Sequence, residues 1–113
     1  AQLGRMEWRF DGQNGLGEDG TASGFFCAYG LALHRIGAGG GGCHDALFAD
    51  GRLRLGHAGD AYGLKSGLWF DPVSGRGLAY FTTAVAPDAP RGRSAFTAAE
   101  EAIVERAGSA PFR

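Results

Sequence analysis

A chain of 113 residues, 44% apolar and 20% charged, has the mixture of one ordinary globular domain and not that of a disordered or fibrous segment. Its net charge of -1, with arginines scattered along the chain, excludes the massed basic footprint of a nucleic-acid or anionic-membrane binder. No apolar run approaches the ~20 residues of a membrane span, and the opening AQLGRMEWRF lacks the charged and apolar regions of a secretory signal, so any export signal is expected outside these residues.

In chain order, Met6, Trp8 and Phe10 alternate with Glu7, Arg9 and Asp11. That period of two predicts a strand with one buried and one wet face. Asp11-Gly12 and Asn14-Gly15 end it, and residues 15 to 24 read as loop. Phe25 to Ile36, FFCAYGLALHRI, is apolar on both parities, which predicts one long strand covered on both faces. The run Gly37 to Gly42, GAGGGG, reads as a flexible hairpin connection. It is no phosphate loop, because Cys43, His44 and Asp45 follow it in place of a Lys-Ser/Thr ending.

Asp50-Gly51 marks a further turn before GHAGDAYGLKSGLWFDP, residues 56 to 72. Leu68 to Phe70 and Leu78 to Val85 predict an antiparallel hairpin about the turn DPVSGRG. Bulk on both faces of the return strand, with Leu78, Tyr80 and Thr82 on one and Ala79, Phe81 and Val85 on the other, requires cover on each. Thr97 and Glu100 form a T-x-x-E capping box that opens a helix, its apolar stripe predicted as Phe96, Ala99, Ile103 and Ala107 and its end at Gly108. One short helix covers one face only. The fold class is therefore α+β, a single domain over 1–113 with an antiparallel sheet of about four to five strands and a C-terminal helix on one face.

Cys27 and Cys43 permit two buried thiols or one disulfide; their spacing fits neither a redox CxxC nor a paired zinc motif. A metal set drawn from His34, His44, His57 and the cysteines is set aside, because His44 directly follows Cys43 and neighbours on a strand point to opposite faces. No metal and no cofactor is expected. Ser66 lies close to His57 and Asp60, but KSGL is not the G-x-S-x-G elbow that exposes a nucleophile. Gly56, Gly59, Gly63 and Gly67 leave the backbone around His57 bare, open to close approach by another backbone or a ligand.

GHAGDAYGLKSGLWFDPVSGRGLAYFTTAV, followed by SAFTAAEEAIVERA, resembles the C-terminal part of the serine hydrolases of the beta-lactamase and penicillin-binding-protein superfamily, in its class C-like esterase and peptidase branch. The likeness runs from about Gly24 onward, with His57, Ala58 and Gly59 standing at the family's cleft-edge triad. It implies a partial beta-lactamase-like domain in which the Asp60 N–H is an oxyanion donor, His57 orients substrate or assists proton transfer, and Ala58, Gly59 and Ser66 line the substrate. Ala58 stands where a hydroxyl residue is common, which favours small ester or peptide substrates over beta-lactams. Periplasmic or secreted localisation follows from the resemblance alone, and a Cys27–Cys43 bridge would agree with it.

Lys65 is the sole lysine and Tyr62 stands three residues before it, so the family's Ser-x-x-Lys nucleophile is absent. The Tyr-x-Asn element is absent too. The chain is expected to be inactive alone, with a missing N-terminal catalytic portion or self-association covering its second apolar face. The competing expectation is a non-catalytic binding or interaction module derived from the same fold.

Overall fold

The computed structural model describes residues 4–14, 24–37 and 40–109, and opens on the strand that the Met6, Trp8, Phe10 alternation predicts, β1 (Met6–Arg9). The predicted loop over 15–24 lies outside the described residues except for Gly24. The described residues form one antiparallel sheet of six strands in the order β1-β2-β3-β4-β5-β6, followed by one helix. The α+β class holds, but the strand count exceeds the predicted four to five.

The extra strand arises within Phe25–Ile36. The run predicted as one strand folds back on itself as β2 (Ala28–Gly30) and β3 (His34–Ile36), paired through Tyr29 and His34. Leu31 and Ala32 form the turn, closed by Gly30 N–H donating to the Leu33 carbonyl at 2.9 Å, with Ala32 at φ 57°. An aromatic-rich run without period hides such a turn, and Gly30 was its one local sign.

The glycine run after Ile36 lies, as predicted, in the connection between two antiparallel paired strands, but that connection is much longer than the run. The run opens the long passage from β3 to β4 (Arg54–Ala61), in which Leu47 is fully buried. The Cys27–Cys43 disulfide, with Cα atoms 5.9 Å apart, ties this passage to the start of β2. Arg93 holds it from the other side, donating to the Leu47 carbonyl at 2.8 Å and to the Ala46 carbonyl.

The stretch around His57 is itself a hairpin. β4 turns at Tyr62 and Gly63, both at positive φ (52° and 78°), into β5 (Leu64–Phe70). Two successive left-handed residues form the turn whose twist matches paired strands. β6 (Gly77–Thr82) pairs with β5 from Phe70–Gly77 to Lys65–Thr82. Asp71 fixes the intervening loop by accepting the N–H groups of Val73 (2.8 Å) and Ser74 (3.2 Å) and pairing with Arg52 at 2.5 Å.

The helix α1 (Ala98–Ser109) opens on the predicted capping box: Glu100 N–H donates to Thr97 Oγ1 at 3.2 Å and Thr97 N–H to Glu100 Oε2 at 3.0 Å. Its buried side matches the predicted stripe only in part: Phe96 is buried in the core and Ile103 packs against it, but the stripe does not hold throughout. Val104 is buried where Ile103 is half-buried and Ala99 exposed, and Glu100 and Glu101 are buried as well. Glu101 can be buried because the preceding loop supplies donors: Ser94 N–H at 2.8 Å, Arg93 N–H at 3.1 Å and the Ser94 hydroxyl.

The core sits between sheet and helix, in Ile36, Leu47, Trp69, Tyr80, Phe96 and Val104. Gly67 makes it possible. A Cβ there would sit 2.7 Å from Tyr80 Cε1 and closer still to the Trp69 indole nitrogen, so only hydrogen lets the two rings close over β5.

The opposite face of the hairpin is bare. Register places Leu64, Leu68, Phe70 and Phe81 together on it. Leu68 is 62% and Phe81 73% exposed, an apolar patch of the kind that marks a contact surface. No helix among the described residues is long and apolar enough to cross a membrane.

Candidate functional site

The site begins where β3 stops. β3 pairs with β4 only from Ile36–Arg54 to His34–Gly56, whereas β4 runs on to Ala61 paired with β5 alone. The backbone of residues 57–61 therefore has a free edge. In a two-residue hairpin the pair flanking the turn, here Ala61 and Leu64, exchanges both ladder bonds, and the pattern alternates from there. Ala58 and Asp60 thus turn their N–H and C=O groups away from β5, toward the free edge.

That edge faces a cleft of about 310 Å³. Ala58, Gly59, Asp60 and Lys65 form its sheet wall, and Phe25, Phe26 and Phe96 an aromatic wall. Arg91, Thr97 and Glu100, from the loop before α1 and its first turn, close the far side. The aromatic wall is packed on itself: Phe25 lies against Phe26 at 4.8 Å and against Phe96 at 4.7 Å between ring centroids.

His57 lies beside this edge and is fully engaged. Its Nδ1 lies 2.6 Å from the Ala58 carbonyl and its Nε2 2.7 Å from the Tyr29 hydroxyl. A carbonyl only accepts, so Nδ1 carries the proton; in the neutral ring Nε2 then accepts from the Tyr29 O–H. His57 occupies the Ala58 carbonyl and leaves the Ala58 and Asp60 N–H groups as the donors that this edge presents. Tyr29 is the residue sequence reasoning missed. It sits 28 positions before His57 inside an apolar run, and nothing local distinguishes it from core.

The Asp60 carboxylate forms an ion pair with Lys65. Glu100 is committed on both oxygens, accepting the Tyr80 hydroxyl at 2.9 Å on Oε1 and the Thr97 N–H and hydroxyl on Oε2. Burial, reinforced by the Glu100 charge, pushes the Tyr80 phenol above its ordinary range, so Tyr80 stays a neutral donor. Behind the aromatic wall, His34 is 1% exposed among the rings of Phe25, Phe26 and Trp69. Burial lowers its pKa to about 4 despite an opposing backbone contact at Phe25, and it is neutral at pH 7.

Of the residues predicted for the site, Ala58, Gly59 and Asp60 line the cleft, whereas His57 is not in its lining: register pairs it with Leu68, so its side chain leaves β4 on the face opposite the cleft and reaches Tyr29 at the strand edge. Ser66 does not line the cleft. It pairs with Gly59 and shares the opposite face with Leu68 and Phe81, its hydroxyl packed where a Gly59 side chain would lie. Among the described residues no group of three or more His, Cys, Asp or Glu is placed to hold a metal ion.

No protein-family model, no curated protein and no solved structure matches the chain.

Proposed function

We propose that this chain is the cleft-edge portion of a serine hydrolase of the beta-lactamase and penicillin-binding-protein kind, acting on small esters or peptides, whose nucleophile is supplied by a segment outside these residues. The observation that carries this reading is the free edge of β4 from His57 to Ala61, bordering a cleft with the Asp60 N–H turned toward it. Acyl transfer needs preorganised donors where the tetrahedral oxyanion forms, and a strand backbone held by a neighbour on one side meets that need without reorganisation. The Tyr29–His57 pair would hold the imidazole in one tautomer at the edge of the same strand.

The bare apolar face of β4, β5 and β6 supports the same reading, because a segment carrying the nucleophile would have a surface to cover. The disulfide agrees with an oxidising compartment. The test is reconstitution: the chain alone should turn over no chromogenic ester, and joining it to the segment encoded upstream, bearing Ser-x-x-Lys and Tyr-x-Asn, should restore hydrolysis. An upstream region without those motifs would leave the second reading, a binding module built on the same sheet, which the exposed Leu68 and Phe81 favour equally.

A further inference from the structure

The cleft contains one charge that no described residue pairs with. Of the two cations on its wall, Lys65 is taken by Asp60, whereas the Arg91 guanidinium makes no hydrogen bond or ion pair among the described residues. Its backbone is nonetheless fixed. Arg91 forms a β-bridge with Thr97, flanked by Gly92 N–H to the Phe96 carbonyl at 3.1 Å and Ala98 N–H to the Pro90 carbonyl at 2.9 Å. An arginine whose backbone is anchored beside a helix cap, exposed at a cleft and without a partner among the described residues, has its fork open to an anion.

We infer that Arg91 is the carboxylate anchor of the cleft, and that its ligand is a small monoanion with an apolar or aromatic body. This rests on the reading of the cleft as the substrate site. Phe25, Phe26 and Phe96 supply an apolar wall for the body, and about 310 Å³ is at the small end of ligand pockets, roughly 300–1,000 Å³. A single negative charge fits better than two. Asp60 and Glu100 share the wall with Arg91 and oppose a dianion such as a phosphate monoester.

The test is titration of the whole chain with N-acetyl-phenylalanine, its uncharged amide and phenyl phosphate, followed by calorimetry or amide chemical shifts. The acid should bind about tenfold or more tightly than the amide, the gain expected of a charge-assisted hydrogen bond. Arg91→Gln should erase that gap, Arg91→Lys should keep part of it, and because Arg91 is exposed both variants should fold. Equal binding of acid and amide, an acid affinity unmoved by Arg91→Gln, tighter binding of phenyl phosphate, or no saturation at millimolar acid would each overturn the assignment. Acid preference without turnover in any reconstituted form would retain this anchor and remove the hydrolase reading; turnover without acid preference would do the reverse.

Discussion

Tyr29 and His57, on strands that are not neighbours in the sheet, meet with 2.7 Å between the phenol oxygen and Nε2, while the other ring nitrogen is held by the Ala58 carbonyl. The pair fixes one tautomer of the imidazole. In ¹⁵N NMR of the neutral ring the Nδ1–H form should dominate, and Tyr29→Phe should shift the ring toward a mixture. Because the pair is exposed, the stability cost should be small, about 0.5–1.5 kcal/mol. An unchanged tautomer ratio in Tyr29→Phe would show that the Ala58 carbonyl alone sets it.

Acid should weaken the fold in two separate windows. His34 has a folded pKa of about 4 against an ordinary 6.5, so the unfolded chain binds the extra proton and stability falls as pH drops from about 6.5 toward 4. Between pH 7.5 and 4.5 this single group should cost about 2.5 kcal/mol by linkage. His34→Leu should flatten that limb in urea titrations at both pH values. A limb of the same depth in the variant would assign the loss to other groups.

The second window belongs to Glu101. Burial raises its pKa, but the Ser94 hydroxyl, the Arg93 and Ser94 N–H groups and the Arg93 charge outweigh burial and leave it below the ordinary glutamate value. Its contribution is therefore present above the unfolded pKa and lost as pH falls through the folded one. Glu101→Gln should lower stability at pH 7 by about 1–3 kcal/mol, with the deficit shrinking in strong acid. A deficit independent of pH would mean that only shape, not charge, matters there.

Packing makes a sharper contrast between two glycines of the same hairpin. Gly67→Ala drives a methyl against the Trp69 indole and Tyr80 ring, both in the core, and should cost about 1–3 kcal/mol or more. Gly59→Ala meets the Ser66 hydroxyl, which can rotate away, and should cost less. Thermal melts of the two variants compare them directly, and equal losses would contradict the packing described for β5.

Reduction of Cys27–Cys43 should also lower the melting point. The bridge closes a loop with a sequence separation of 16, for which chain-entropy reasoning gives about 3 kcal/mol. An unchanged melting point in reductant would show that Arg93 and the buried Leu47 hold the passage without it.

The parts of the fold that depend on neighbours in sequence were legible: the Thr97–Glu100 box, the β1 alternation and the turn after Phe70 all appear where local chemistry places them. What depended on distant donors was not. Glu101 counts as polar surface in any helical pattern until Ser94 and Arg93 bury it, and that choice rotates the helix from Ile103 to Val104. The glycines around His57 did not mark its free edge: Gly63 makes the turn, Gly67 lies under Trp69 and Tyr80, and the edge is open because β3 pairing ends at His34–Gly56, whereas Tyr29 on β2 and Arg91 in the loop before α1 carry no local mark.

The central claim is that the Asp60 amide serves a reacting carbonyl, and replacing Asp60 with proline tests it most directly. Asp60 N–H takes no part in the β4–β5 ladder by register, so proline should be tolerated there as on other strand edges. In the reconstituted enzyme, ester turnover should fall about 10²–10³-fold in Asp60→Pro, as for loss of an oxyanion donor, and only a few-fold in Asp60→Ala, which keeps the N–H. A folded Asp60→Pro enzyme as active as Asp60→Ala would contradict the account.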